Sequence, residues 1–418
     1  MEIKQYKNGL TVMVETMPSL RSVACGIMVA TGSCNETRET NGISHFIEHV
    51  NFKGTEKRTA QDIVSEFDRM GASFNAFTGK EYTCYYFKSI DETFEPCFDI
   101  LSDIFLHSKY DGEELDRERK VIIAEINMSK DDPDGVCTDV LYATAYRDAP
   151  LGMDILGPKS NVERFGKSDI LDYKKHNYLP TNTAVAFVGN ITLDGALALV
   201  EKHMGELVNA PRVERKKQQP SIYFPGYGEY IHDYEQSEIS IAFPSFPYSS
   251  EYTEALVAVD CLFGSGMSSR LFQRLREKMG LVYSVYTQAW GGINDGLFSI
   301  CANVNVENVP KAVEAIKNEV DILVKNGVTA DETQKAITQL KVSAYFSREA
   351  SRDYMLGKLR QWTKIGRVRE LDETIARIEA LTPAKINDVV QSVFTKPTAI
   401  AYVGKAPTER VDKIFGRK

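Results

Sequence analysis

Histidine and tryptophan are scarce in this chain, six and two among 418 residues, so any close grouping of histidines carries information. No uninterrupted apolar run approaches the ~20 residues a membrane helix requires, so no membrane span is expected. Neither sign of charge dominates. Fifty basic residues are interspersed with 58 acidic ones, for a net charge of −8, which argues against a nucleic-acid surface. The seven cysteines are odd in number and lack C-x-x-C spacing, so neither a disulfide framework nor a cysteine-ligated zinc is expected. They read as small core residues of a reducing compartment. Met1–Tyr6 has neither the apolar core of a secretory signal nor the composition of a transit peptide, and a cytoplasmic location follows as the expectation.

What is present begins with Ser44-His-Phe-Ile-Glu-His-Val50. On a helix, His45 and His49 stack one turn apart and Glu48 lies beside them. Two neutral imidazoles at that spacing suit Zn²⁺, and an adjacent carboxylate that is not a ligand suits a general base acting on water. The order H-x-x-E-H is that of the inverzincins. A satisfied polar network or a solvated helix face is the bland alternative. The wheel opposes the solvated reading, because Ile43, Phe46, Ile47 and Val50 make the other side apolar.

With 43% hydrophobic residues, a chain of this length forms more than one domain. Thr183–Gly189 and Thr398–Gly404 match residue type for residue type and stand 215 positions apart, and the alternating Val23–Val29 is echoed by Ile239–Phe243. This predicts an internal duplication: residues 1–206 as a metal-binding domain, 207–222 as linker and 223–418 as a second homologous domain. Each half reads as an antiparallel sheet with helices packed on it, an α+β class. Asn8-Gly9 predicts a type I′ hairpin turn. Strands are expected near 22–31, 73–78 and 82–89, and helices near 42–53, 59–70, 91–107 and 113–130. In repeat register, positions 45, 48 and 49 fall at Cys261, Gly264 and Ser265, so the second half has no ligands and one metal ion per chain is expected.

A catalytic zinc needs a third protein ligand. Glu118 and Glu125, seven apart on a helical stretch and flanked by apolar residues, offer a ligand and a supporting carboxylate. Spacing does not decide which is which, and two surface acids paired with Lys or Arg is the alternative.

Taken together, His45-Phe-Ile-Glu-His49, Phe52-Lys-Gly-Thr55, Asn75-Ala-Phe-Thr78, Glu118 with Glu125, and the block from Gly266-Met-Ser-Ser-Arg to Gly280-Leu-Val-Tyr283 resemble the pitrilysin and mitochondrial processing peptidase family of zinc metalloendopeptidases. The resemblance covers essentially the whole chain. It implies His45, His49 and Glu125 as zinc ligands, Glu48 as base and Glu118 in support. It also implies a peptide added to a sheet edge at Asn75, Ala76 and Phe77, with Arg276 and Tyr283 contributed by the second half. Asn51 departs from the apolar or aromatic residue common in the family, a change that touches no ligand and whose effect on a pocket wall the sequence leaves open.

The expected function is therefore hydrolysis of unfolded peptides or extended segments by a zinc endopeptidase working as a homodimer, with a heterodimer with a paralogue as the alternative. Two rivals stand beside it: a non-catalytic scaffold or peptide-binding subunit of the same family, and a zinc hydrolase of small molecules.

Overall fold

The computed structural model describes residues 1–214 and 218–416. Its strands are β1 (Glu2–Gln5), β2 (Thr11–Thr16), β3 (Ser22–Val29), β4 (Ser73–Thr78), β5 (Thr83–Ile90) and β6 (Thr183–Gly189) in the first half. The second half holds β7 (Gly226–Ile231), β8 (Ser237–Pro244), β9 (Val282–Gly291), β10 (Gly296–Val304) and β11 (Ala399–Gly404). The first sheet runs β1-β2-β6-β3-β5-β4 and the second β7-β11-β8-β10-β9. With β1 set aside, the two orders are the same, as a duplicated unit requires. Neighbouring strands are antiparallel except for one parallel pair in each sheet, β2 with β6 and β7 with β11. The class is α+β, with sheets that are mixed rather than purely antiparallel.

The hairpin between β1 and β2 falls where Asn8-Gly9 placed it, but the turn differs. Gly9 N–H bonds Tyr6 O, Tyr6 N–H bonds Leu10 O, and only Gly9 has positive φ, at 101°. Asn8 is therefore not in the left-handed region that a type I′ turn demands. The loop has the hydrogen bonds of a three-residue hairpin with a glycine bulge, and the Asn8 amide instead donates to the carbonyls of Leu207, Val208 and Ala210.

Five helices matter for the site: α1 (Ile43–Asn51), α2 (Ala60–Arg69), α3 (Phe94–His107), α4 (Gly112–Met128) and α5 (Pro133–Tyr146). Alternation along β3 sorts its side chains onto two faces. Cys25, Ile27 and Val29 join Ile63 and Phe67 of α2 and Phe98, Leu101 and Ile104 of α3 in one core. Ala24 and Met28 join Met355, Leu359 and Trp362 in another. Burial of each large side chain contributes about 1.5–3 kcal/mol.

That second core reveals how the compact units are made. One comprises Met1–Ile126, Asp154–Gln218 and Phe346–Glu370; the other comprises Asn127–Met153, Gln219–Tyr345 and Leu371–Lys418. The helix Ser351–Ile365, late in the chain, packs on β3 and β6 of the first unit, while α5 packs on β7, β8 and β11 of the second. The units thus differ from contiguous stretches 1–206 and 223–418 by two reciprocally exchanged helices. Each exchanged helix covers a sheet face that its host's own helices leave bare. Of the expected linker 207–222, residues 215–217 lie outside the described residues.

Candidate metal centre

Helix α1 starts at Gly42, whose φ of 95° and whose position against Leu156 O, 2.5 Å from where a Cβ would stand, both call for glycine. Its first N–H groups are met by Glu36, which accepts from Gly42 N and Ser44 N at 2.8 Å each and from Asn41 Nδ2 at 3.0 Å. A buried carboxylate at a helix N-terminus is favoured by the aligned peptide dipoles. Ile43, Phe46, Ile47 and Val50 are buried against Leu115 and Ile122 of α4 and against Phe165, Ile170 and Tyr173. Val121, at the other edge of the α4 stripe, is exposed. With that side of α1 anchored in the core, His45 and His49 on its polar flank reach Glu118 and Glu125 of α4.

There His45, His49 and Glu125 present ligand atoms that all lie within 4.8 Å of one another. His45 Nε2 is 3.7 Å from Glu125 Oε1, and His49 Nε2 is 3.5 Å from Glu125 Oε2, too long for hydrogen bonds and suited to a shared ion. Glu118 lies on the far side of His49 and takes Nδ1 at 3.1 Å, which leaves Nε2 with its lone pair toward the cluster. Lys53 Nζ holds the other Glu118 oxygen at 2.6 Å. Among the described residues this is the one convergent group of three or more His, Cys, Asp or Glu donors. Two imidazoles and a carboxylate match the donor set of a catalytic zinc, which keeps a further coordination position for water.

Electrostatics agree with a site built for a cation. Burial, with help from His49, pushes the His45 imidazole down to about 3, so it is held neutral as a ligand must be. For His49, burial acts downward but is outweighed by the Glu118 hydrogen bond and the Glu48 and Glu125 charges, which raise it. Burial would raise Glu118, yet its bonds to His49 and Lys53 hold it below the usual carboxylate range.

Glu48 is not in the donor cluster. Its Oε2 accepts from Thr78 Oγ1 at 2.6 Å, and burial raises its pKa against that bond. Thr78 ends β4, the outermost strand of its sheet, so the acid stands beside a free sheet edge. Asn75, Ala76 and Phe77 lie on that strand, and Asn75 Oδ1 accepts from Ala76 N–H at 2.8 Å. In the second unit, Arg276 lies on the π-helix Phe272–Lys278 with its guanidinium 5.0 Å from the Phe272 ring centroid. Tyr283 is the second residue of edge strand β9, with 76% exposure. Cys261 lies on the helix Thr253–Phe263 that follows β8, with Gly264 and Ser265 just past its end.

Asn51 is fully buried: its amide donates to Tyr85 Oη and its side-chain oxygen accepts from Tyr110 Oη, both at 2.8 Å. Three supporting groups carried no assigned role in the sequence reading. Thr78 and Lys53 stood inside motifs already singled out, and Lys53, one turn beyond His49, could have been found from spacing. Glu36 comes from a loop and gave no signal.

Comparison with known proteins shows the family to which this duplicated α+β fold belongs. Residues 11–159 match the family described as Insulinase (Peptidase family M16), and residues 164–340 match its Peptidase M16 inactive domain. The chain belongs to peptidase family M16. It is 34% identical over 407 residues to a protein of Bacillus subtilis (strain 168) named uncharacterized zinc protease YmxG, covering 96% of this chain and 98% of that one. An uncharacterized zinc protease of Streptomyces coelicolor, SCO5738, is 33% identical over 419 residues, covering 97% and 90%. Among solved structures, a protease from Helicobacter pylori superposes with a TM-score of 0.88 at 20% identity, covering 96% of this chain and 99% of that one, and so shares the fold. No described helix is long and apolar enough to cross a membrane.

Proposed function

We propose that the protein is a zinc-dependent endopeptidase that cleaves unfolded peptides or extended segments, with one ion per chain held by His45, His49 and Glu125. The observation that carries the reading is the separation of roles on α1. Both imidazoles converge with Glu125, while Glu48, from the same turn, is left out and bonded to a strand at a free sheet edge. Zn²⁺, when bound, supplies Lewis-acid polarisation of a carbonyl and makes water more acidic.

The chain's own residues do the rest. Glu48 takes a proton from water and passes it to the leaving amine; its burial makes it a stronger base than a solvated carboxylate. Glu118 fixes the His49 ring through Nδ1. The edge of β4 at Asn75, Ala76 and Phe77 offers backbone groups to an extended peptide without demanding particular side chains. Arg276 has the chemistry to orient a carbonyl or carboxylate, and Tyr283 to donate to an oxyanion. A dimer is proposed on the resemblance and a cytoplasmic location on the scattered free cysteines, which suit a reducing compartment; light scattering on the pure chain reads the first and cell fractionation the second.

Glu48→Gln is expected to retain stoichiometric zinc and lose hydrolysis of a quenched-fluorescent peptide by at least about 100-fold. Retained turnover would refute the role. Arg276→Ala and Tyr283→Phe are expected to lower kcat/KM by about 10- to 100-fold with zinc content unchanged; metal loss from a folded variant would contradict the assignment. A non-catalytic peptide-binding subunit is the second reading, favoured by the description of residues 164–340 as an inactive domain. Peptide binding by the zinc-loaded chain without cleavage would decide for it.

A further inference from the structure

The free edge of β4 has two chemically different sides. Phe74 and Ala76 pack in the core beneath α2 and α3, and Thr78 reaches Glu48, so even-numbered residues face the metal side. Phe77 packs in the core built with the exchanged helix Ser351–Ile365, so odd-numbered residues face away from the metal. A peptide strand added to this edge would alternate in the same way, sending every second side chain toward the exchanged helix.

What waits there is Arg360. Its guanidinium lies 5.4 Å from the Phe77 ring centroid, and it hydrogen-bonds Tyr82. Phe77 is itself edge-on to Tyr82 and Tyr86, with ring centroids 6.0 Å away in each case. The aromatic floor holds the planar cation in place. Arg360 is exposed and, among the described residues, has no salt-bridge partner, whereas Arg352 on the same helix is paired with Asp353. Tyr82 leaves most of the five guanidinium donors unused, and a fork of this kind fits a carboxylate.

We propose that Arg360 is a specificity-determining residue that selects peptides with an acidic side chain, Asp or Glu, at the position crossing Phe77 on the side away from the metal. The inference rests on the β4-edge reading above and adds to it the chemical class of the preferred substrate. It also gives the helix exchange a consequence: the charge that reads a peptide bound in the first unit comes from late in the chain.

The test uses the zinc-loaded full chain and a neutral extended peptide scanned at each position with Glu, Gln and Lys, with kcat/KM read by mass spectrometry. Glu should be preferred over Gln by about three- to tenfold at one position. Arg360→Gln should abolish that preference, Arg360→Lys should retain part of it, and Arg360→Glu should reverse it toward Lys. A second readout does not need turnover: binding of labelled Glu and Lys peptides to zinc-loaded Glu48→Gln, with and without Arg360→Glu, by fluorescence anisotropy. Cleavage with no Glu-preferring position, or a preference that survives Arg360→Gln, overturns the proposal and leaves the peptidase reading intact. Glu-selective binding lost in Arg360→Glu, with no peptide cleaved by the wild type, upholds the proposal and sinks the hydrolytic reading. Neither cleavage nor binding overturns both.

Discussion

Lys174 donates to Phe105 O at 2.9 Å and to Tyr110 Oη at 2.7 Å and, among the described residues, has no carboxylate partner. From it a buried chain of hydrogen bonds runs through Tyr110, Asn51 and Tyr85 to Tyr178, directly behind the C-terminal turn of the helix that carries both histidines. Burial pushes the Lys174 ammonium down from its ordinary 10.5 to about 7. The sign of the linkage follows. Between about 7 and 10.5 the unfolded chain holds a proton that the folded chain has released, so folding stability contributed by this group rises with pH across that window. Below it both states are protonated and the burial penalty is constant. Wild-type protein should therefore gain roughly 1–2 kcal/mol relative to Lys174→Met between pH 7 and pH 9, measured by urea unfolding. Parallel pH dependences would show that the ammonium is not held down.

At the scale of elements, the helix Ser351–Ile365 depends on a close approach to β3. A Cβ at Gly26 would stand 2.9 Å from Leu359 Cδ1 and 3.1 Å from Met355 Sδ, and both side chains are fully buried. Gly26 is in an ordinary strand conformation, so alanine would gain slightly from a stiffer unfolded chain. To admit the methyl, the ends of Leu359 and Met355 must turn aside within a fully buried core, and that overpacking outweighs the gain. Gly26→Ala is expected to cost about 1–3 kcal/mol in chemical denaturation, with part of the loss recovered by Leu359→Ala in the same chain. Additive losses would mean that the helix is not seated on this glycine. In the second unit the exchanged helix makes a close approach on a different strand, β7, at Gly228, where a Cβ would meet Thr144 Oγ1 of α5 at 2.2 Å. The sequence pattern placed α1 to α4 within a few residues, since each has a 3.6-residue apolar stripe. It gave no sign that the 351–365 helix belongs with the first sheet, because an apolar stripe does not name its partner.

For the whole molecule, the duplication produces two units of one topology, and the convergent donor set lies in the first. Each unit also holds one tryptophan: Trp362 in the first, buried against β3 and β6, and Trp290 in the second, beside Tyr142. An ion that binds only the folded first unit stabilises it by RT ln(1 + [Zn²⁺]/Kd), about 2.7 kcal/mol at a hundredfold excess over Kd. In thermal unfolding, zinc is expected to raise the midpoint reported by Trp362 in Trp290→Phe by about 5–10 °C, and the midpoint reported by Trp290 in Trp362→Phe by less. Chelation or His45→Ala should remove the difference. Equal shifts at both reporters would contradict an effect confined to the first unit.

The local sequence by itself determined the His45–Glu48–His49 constellation, the order of strands and helices from about residue 22 to residue 130 and the repeat, because helix and strand periods are properties of neighbouring residues. It left Glu118 and Glu125 interchangeable, since seven residues put both on one side of α4. Only tertiary packing brought Glu125 to both Nε2 atoms and Glu118 to the His49 Nδ1. Packing likewise made Asn51 a buried hub, exchanged the two helices and set Arg360 over Phe77. These contacts join segments far apart in the chain, where the free energy lies in shape, burial and charge between faces that no spacing along the sequence encodes.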